Sequence, residues 1–454
     1  MEQRVAADAA PTLLWFRRDL RLADHPALHG ARDGGGPVVP VFALDRRLWD
    51  RAGAPRQAFL ATALADLTER TDGALRIVHG DPRRVIPAVA AHLGAASVHV
   101  SAETTPFGRA RDEAVATALG EDTTWIATGS PYAVSPGRVT KDDGSPYRVF
   151  TPFAKAWRAH GWRDPAAAVR SVPWLAYDGP HRAELPTAST DAAIPTGTEA
   201  AAVRTWHHFR DGPLDDYASA RNDPGRDATS RLSAYLHLGL LHPRTLLADL
   251  ADRHGEGVEV WRSELCWREF YADVLWHHPT SAWDNYDRRF DRFHWDDDRD
   301  RFGAWQRGET GFPIVDAGMR QLVAEGWMHN RVRMITASFL VKDLHLPWQW
   351  GARHFLDHLV DGDVASNNHG WQWTAGSGTD ASPYVRVFNP MLQGEKYDAS
   401  GDYVRRWVPA LRALPGKAAH TPWDHGGAPG YPERIVDHAA ERTDALARYE
   451  AIRG

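Results

Sequence analysis

Glu264, Trp267 and Tyr271 recur at i, i+3 and i+7 within residues 259–276, where Cys266, Phe270 and Val274 repeat at i, i+4 and i+8. The second set is an ordinary buried stripe of a helix; the first puts a carboxylate and two aromatic rings on the adjacent face. Spacing alone favours a solvated edge for that face. Its alternative chemistry is recognition of a flat polar ligand, by ring contact and by a hydrogen-bonding acid. A second helical stretch, 328–344, carries Asn330, Arg333 and Met334 on one face and would make a matching wall.

Residues 326–373 concentrate tryptophans, asparagines, arginines and the turn Asp361-Gly362-Asp363. Indole rings beside amides and charges are costly to bury without partners, so something polar and aromatic is expected between them. The turn is open to two readings, a helix C-terminus with two solvated acids or a partner for Arg333. Trp371 and Trp373 are two residues apart on an expected helix, hence roughly 200° apart at about 100° per residue, and are expected to face different compartments. Thr229, Ser230 and Ser233 open another helix, where hydroxyls suit phosphate oxygens as well as plain capping, the more frequent explanation. The pairs His207-His208 and His277-His278 point their rings apart on a helix, and no metal is assigned.

The elements that must carry these residues fall into two kinds. Apolar runs at 12–16, 38–44, 75–78, 97–100 and 124–127 alternate with helical patterns such as 56–70 and 82–93. That order implies a parallel, doubly wound sheet covered on both faces, a Rossmann-like α/β domain over residues 1–130. No G-x-G-x-x-G follows the first run and no G-x-x-x-x-G-K-[ST] occurs, which disfavours a simple NAD or NTP enzyme. Ligands of open sheets sit beyond the carboxyl ends of strands, making Arg17, Arg18, Glu103 and Thr105 candidates there, although loop solvation explains each alone equally well. Residues 131–199 read as a connection, its 161–198 stretch carrying five prolines without sustained periodicity. From 200 to 454 helical patterns dominate, at 201–209, 231–238, 243–254, 259–276, 313–325, 328–344, 353–360 and 366–373, so the second domain is expected to be all-α. The run DRRFDRFHWDDDRDR reads as a solvated charged face.

Composition bounds the partners. The 454 residues carry a formal net charge of −6, so a nucleic-acid surface must be local. Cys266 is the single cysteine, which excludes an internal disulfide framework and a multi-cysteine zinc site and sets a cytoplasmic default. The chain has no run of 18 apolar residues and no secretory leader pattern, so membrane insertion is not expected. The 20 tryptophans exceed ordinary usage and ask for a reason.

The motifs WFRRDLRLADHPAL, TSRLS, WREFY, GWMHNRVRM and DGDVASNNHGWQW, in this order along essentially the whole chain, resemble the DNA photolyase and cryptochrome family, and within it the class I cyclobutane pyrimidine dimer photolyases. The resemblance implies FAD held in an all-α C-terminal domain by Tyr217, Thr229, Ser230, Arg231, Leu232, Ser233, Arg268, Arg333, Asp361, Asp363 and Asn367. It implies a dimer pocket of Glu264, Trp267, Asn330, Met334 and Trp373, and phosphate contacts from Arg221, Arg331 and Arg386. Glu264 in that role must be protonated or share a proton. An electron-transfer chain of Trp371, Trp348 and Trp295 is implied as well, with Trp350 an alternative to Trp348. Should Trp371 and Trp373 both line one cavity, the assignment of either ring to electron transfer would have to be withdrawn.

The expected activity is light-driven repair of cyclobutane dimers in UV-damaged DNA, a carbon-carbon lyase reaction on a flipped-out dimer. A cryptochrome-like photoreceptor without repair is the alternative. The family also implies an antenna chromophore in the N-terminal domain. Here AETTPFGRARD is similar to deazaflavin-binding members, so 8-hydroxy-5-deazaflavin is favoured over methenyltetrahydrofolate, with Glu103 and Thr105 as its candidate contacts. His369 replaces a glycine common in the family motif, and its imidazole is expected near the flavin, with consequences for redox or protonation. The protein is expected to be a cytoplasmic monomer without an obligate protein partner.

Overall fold

The computed structural model describes residues 9–169, 171–380 and 386–452. Its sheet has the order β5-β4-β1-β2-β3-β6. The strands are β1 (Thr12–Phe16), β2 (Val38–Leu44), β3 (Arg76–His79), β4 (Ser97–Val100), β5 (Thr124–Ala127) and β6 (Arg182–Ala183). β1 lies between β2 and β4, in register from Thr12 against Val38 and from Thr12 against Ser97. All five residues of β1 are buried. Helices cover both faces of a parallel sheet, so TLLWF shows no polar alternation.

The first five strands are parallel and occur where the apolar runs stand, with β3 one residue later than expected. β6 pairs antiparallel with β3, and Trp174 bridges to Val38. The proline-rich connection thus completes one edge of the sheet as well as crossing the surface.

Past residue 198 the described residues are helical or irregular. The wall helices are Glu256–His277, Asn330–Lys342 and Val364–Ala375. Their starts follow from capping side chains: His329 Nδ1 accepts from Arg331 N, and Asp363 Oδ1 accepts from Ser366 N at 3.0 Å. Gly351, in the Trp348–His358 helix, sits where a Cβ would meet the Trp371 ring at 2.1 Å, so only a bare backbone lets the two helices close on that indole.

The charged side chains of the run are largely exposed, as expected of a solvated face, and the run is anchored from within. Phe290 and Phe293 are buried against Tyr449 of the His438–Ala451 helix, with centroids 5.7 and 4.8 Å away. Two phenylalanines among the charges supply the anchor, a signal that charge counting hides.

The two units share one core. A single apolar cluster joins Leu14, Phe16 and Leu28 to Trp206, Trp261 and Phe270. At the junction Gly239 ends the Ser233–Leu238 helix at φ +67, where a Cβ would stand 2.0 Å from Arg18 O. The loop after β1 docks there: Leu20 N donates to Leu238 O at 3.1 Å and Arg21 Nη1 to Gly239 O at 3.0 Å. Residues of the first loop are thereby carried into the helical unit.

Candidate functional site

The wall helices enclose a cavity of about 660 Å³. Glu264, Trp267, Asn330, Met334 and Trp373 all line it. Glu264 Oε1 stands 2.7 Å from Arg221 Nη1. Burial pushes the Glu264 carboxyl above its usual range against the opposing pull of Arg221. Trp267 is clamped face to face by Phe150, centroids 3.7 Å apart and planes 7° from parallel. Phe150 begins the Phe150–His160 helix, and no local pattern in its sequence marks it as a partner of Trp267. Trp373 is fixed through Nε1, which donates to Asp380 O at 3.1 Å.

Tyr217, Thr229, Ser230, Arg231, Leu232, Ser233, Arg268, Arg333, Asp361, Asp363 and Asn367 line the same cavity. Leu232 occupies the cap position of the Ser233–Leu238 helix and makes no side-chain capping bond. Capping, the commoner explanation of the hydroxyl cluster, is therefore not its role. Arg231 has φ +49, a costly conformation for any residue with a Cβ, and turns its guanidinium onto Trp327 at 4.0 Å and Glu325 at 3.3 Å. Arg333 pairs with Asp361 at 3.0 Å, resolving the two readings of the Asp-Gly-Asp turn for that acid.

Asp363 does more than cap. Its Oδ2 accepts from Arg18 Nη2 at 2.8 Å. Burial works against the charge, and Arg18, His237 and Arg268 outweigh it, holding the carboxyl well below its usual range. Arg268 donates to Pro131 O and Leu236 O at 3.0 and 3.1 Å, tying the connection to the helical wall. Asn367 Nδ2 donates to Ala352 O at 3.0 Å, which orients the amide.

Trp371 and Trp373 both line this cavity, so the expectation of separate compartments is wrong. An angle around a helix gives ring directions and not the extent of the space beside them, and residues of one cavity can stand on both sides of a helix. Helix geometry therefore gives no ground for assigning either ring to electron transfer, and that assignment is withdrawn on those terms. The contacts of Trp371 run to Phe355 and Trp305, at 5.0 and 6.1 Å between centroids. Trp305, missed from sequence, leads through Phe302 to Trp350 at 5.8 and 5.2 Å. Trp348 is fully buried and donates through Nε1 to Asn285 Oδ1 at 2.9 Å, while Trp295 packs on Phe293 at 4.3 Å.

Arg221 and Arg331 stand on the cavity wall. Arg331 donates to Asn222 Oδ1 at 2.7 Å and lies 4.5 Å over the Tyr397 ring. Arg386 is exposed and lines instead an adjoining cavity of about 850 Å³ with Arg148 and Lys342, the two cavities sharing Trp373, Thr374 and Asp380.

Three further residues have structural partners of their own. Glu103 lies 3.8 Å from Arg18, and Thr105 Oγ1 accepts from Gly108 N at 3.1 Å as a helix cap, so both side chains already serve the fold. His369 is buried behind Tyr271, stacked at 5.7 Å, and is not on the cavity wall. Its Nδ1 donates to Ala365 O at 2.8 Å and its Nε2 meets Ser281 Oγ at 2.9 Å. Burial holds the imidazole down at about 4, hence neutral. Outside the site, His345, Glu441 and Asp444 bring three ligand-type atoms within 4.8 Å of one another. Arg448 holds Asp444 at 2.8 Å and His345 Nε2 meets Glu441 at 2.8 Å, which is the geometry of a hydrogen-bonded clamp on the last helix.

Residues 261–451 match the FAD binding domain of DNA photolyase, and residues 12–171 match DNA photolyase. The chain is 41% identical to a deoxyribodipyrimidine photo-lyase of Streptomyces griseus, over 97% of this chain and 98% of that protein. The chain belongs to the DNA photolyase family. Among solved structures of the family, a class III photolyase from Agrobacterium tumefaciens superposes with TM-score 0.89 at 39% identity, covering 98% of each chain. A cryptochrome from Synechocystis superposes with TM-score 0.87 at 29% identity, over 96% of this chain and 98% of that one. Assignment to class I is not supported, since the bacterial photolyase neighbour is of class III. Four of the motifs behind that assignment, TSRLS, WREFY, GWMHNRVRM and DGDVASNNHGWQW, contribute to the walls of the cavity and report what it holds rather than the class.

The lining fits the family's flavin dinucleotide. It offers hydroxyls not spent on capping and one guanidinium paired to Asp361. The buried Trp371 Nε1 has no hydrogen-bond partner among the described residues. Among the described residues, no helix is long and apolar enough to cross a membrane.

Proposed function

We propose that the protein repairs cyclobutane pyrimidine dimers in UV-damaged DNA by a light-driven lyase reaction, with FAD in the 660 Å³ cavity and a flipped-out dimer at its mouth. One observation carries this: the five dimer-pocket residues and the eleven flavin residues line one cavity. FAD held by these residues would supply the light-driven one-electron chemistry that the repair needs.

The side chains supply binding and orientation. Thr229, Ser230 and Ser233 offer hydroxyls to the cofactor's phosphates. Asp363, fixed by Arg18, and Asp361, fixed by Arg333, hold the turn against the ring system, and Asn367 presents an amide already oriented by Ala352 O. Trp267, backed by Phe150, and Trp373, tethered to Asp380 O, offer flat faces to the splayed pyrimidines. Glu264 and Asn330 are the hydrogen-bonding groups for pyrimidine carbonyls, and Met334 fills the space beside them. Arg221 and Arg331 at the wall, with Arg386 in the adjoining cavity, take flanking phosphates.

Residues 1–130 form the antenna unit of this proposal, 131–199 the connector and 200–454 the catalytic unit. The antenna chromophore of this proposal is 8-hydroxy-5-deazaflavin ahead of methenyltetrahydrofolate, with Glu103 and Thr105 as its candidate contacts. Binding of FAD-loaded protein in the dark to matched oligonucleotides with and without one dimer tests the site. Selective retention of the damaged strand is expected, and equal affinity for both would count against it. A photoreceptor without repair, suggested by the cryptochrome neighbour, differs in its response to light, since in that case the dimer outlasts illumination.

A further inference from the structure

Arg221 and Glu264 make a 2.7 Å ion pair at the rim of the cavity, with side chains 26% and 30% exposed. The two residues are claimed by different parts of the substrate, Arg221 by the strand's phosphates and Glu264 by a pyrimidine carbonyl. The pair as it stands satisfies neither. A carboxylate held by a guanidinium only accepts hydrogen bonds, and a carbonyl oxygen also only accepts, so the two would repel. Glu264 can donate only after gaining a proton.

The surroundings decide the charge of Glu264 once Arg221 leaves. Arg221 is the cation acting on Glu264; Tyr217 and Tyr271 also face it, and burial pushes both phenols up, so they stay neutral. Asp380 adds a further negative charge near Tyr271. Arg331 crowds Arg221 with like charge from the Asn330–Lys342 helix. A phosphate arriving at this rim therefore relieves repulsion between two guanidiniums and offers Arg221 a stronger, charge-assisted partner. With Arg221 gone, Glu264 loses the cation that opposes its burial, and burial favours its neutral form.

We propose that Arg221 exchanges partners when damaged DNA binds, leaving Glu264 for a backbone phosphate, and that Glu264 then takes one proton from solvent and becomes the O–H donor to a pyrimidine carbonyl. The step moves a proton and no electrons: bulk water supplies it, and a neutral carboxylic acid faces the dimer before light arrives. It rests on the dimer-site reading given above.

Calorimetric titration of the FAD-loaded protein, in the dark, with an oligonucleotide carrying one thymine dimer tests it. Two buffers of different ionisation heat at one near-neutral pH report proton uptake. Wild type is expected to take up on the order of one proton per complex. Glu264→Gln is expected to bind with that uptake lost, and Arg221→Gln to bind more weakly with uptake reduced, because Glu264 has then already lost the cation that opposes its protonation. Infrared difference spectra of wild type give a reading independent of any variant, a new carboxylic C=O band on binding. Equal uptake in wild type and Glu264→Gln overturns the exchange, as does wild-type binding with neither uptake nor a new band. Failure of the damaged strand to bind wild type overturns the dimer-site reading together with it.

Discussion

Arg18 Nη2 lies 2.8 Å from Asp363 Oδ2, so a side chain from the first loop of the parallel sheet holds the residue that caps the far wall of the cavity. The same guanidinium donates through Nε to His237 O at 3.0 Å and has Glu103 at 3.8 Å on its other side. The side chains of the pair are 15% and 12% exposed. Arg18→Gln leaves the Asp363 carboxylate without its guanidinium partner, at a cost of about 3 kcal/mol. A lower Tm and faster FAD loss are expected. Arg18→Lys restores the charge without the fork and is expected to recover only part of both. Thermal unfolding and flavin release, followed by fluorescence, read the two effects.

Glu269 gives the protein a pH dependence away from the site. Burial pushes its carboxyl up to about 7, although Trp157 Nε1 donates to it at 2.6 Å, Val134 N at 3.0 Å and Ala133 N at 2.6 Å. A carboxyl with its pKa raised on folding makes the folded state hold more protons than the unfolded chain between the two values. Its contribution is therefore complete below the unfolded value and lost as pH rises through about 7. The loss amounts to about 3 kcal/mol. Tm measured across that window is expected to fall with pH in wild type, and Glu269→Gln should remove this part of the slope. Identical slopes would show Glu269 ionised throughout.

Arg331 is placed to report on strand binding. Its guanidinium is steered by Asn222 and Tyr397 and stays on the cavity wall. Arg331→Ala is expected to weaken binding and to reduce the slope of log affinity against log salt by about 1. An unchanged slope removes Arg331 from the DNA face.

Trp371 has a ground for electron transfer that does not depend on helix angle. Its indole borders the cavity on one side and meets Trp305 on the other, 6.1 Å between centroids. Trp371→Phe is expected to suppress light-driven reduction of oxidised FAD while chemically reduced protein still repairs. Loss of repair in the chemically reduced variant as well would assign Trp371 a packing role, consistent with its contact on Gly351.

Much of this arrangement is legible in the order of the residues. Buried parallel strands leave short unbroken apolar runs, and TLLWF is one. Glu264, Trp267 and Tyr271 could be placed on one helix face because a helix fixes angles over a few turns. Contacts between units leave no such trace: Phe150 on Trp267, Arg18 on Asp363 and Arg221 on Glu264 each join residues far apart in the chain. Thr105 has a local role besides, since its hydroxyl three residues before a glycine amide caps the helix that follows. His369 stands next to cavity residues in sequence yet turns to Ser281, one layer behind Tyr271. Trp371 and Trp373 failed because periodicity describes the helix and not the shape of the space around it.

Photorepair is the direct test. Purified protein carrying reduced FAD is mixed with an oligonucleotide containing one cyclobutane dimer, and the lesion is counted with and without blue or near-ultraviolet light. Dimers should disappear under illumination, persist in darkness, and disappear far more slowly with Glu264→Ala. Persistence of the dimer under light, with reduced FAD bound and the strand bound, would contradict the repair function and leave the photoreceptor reading in its place.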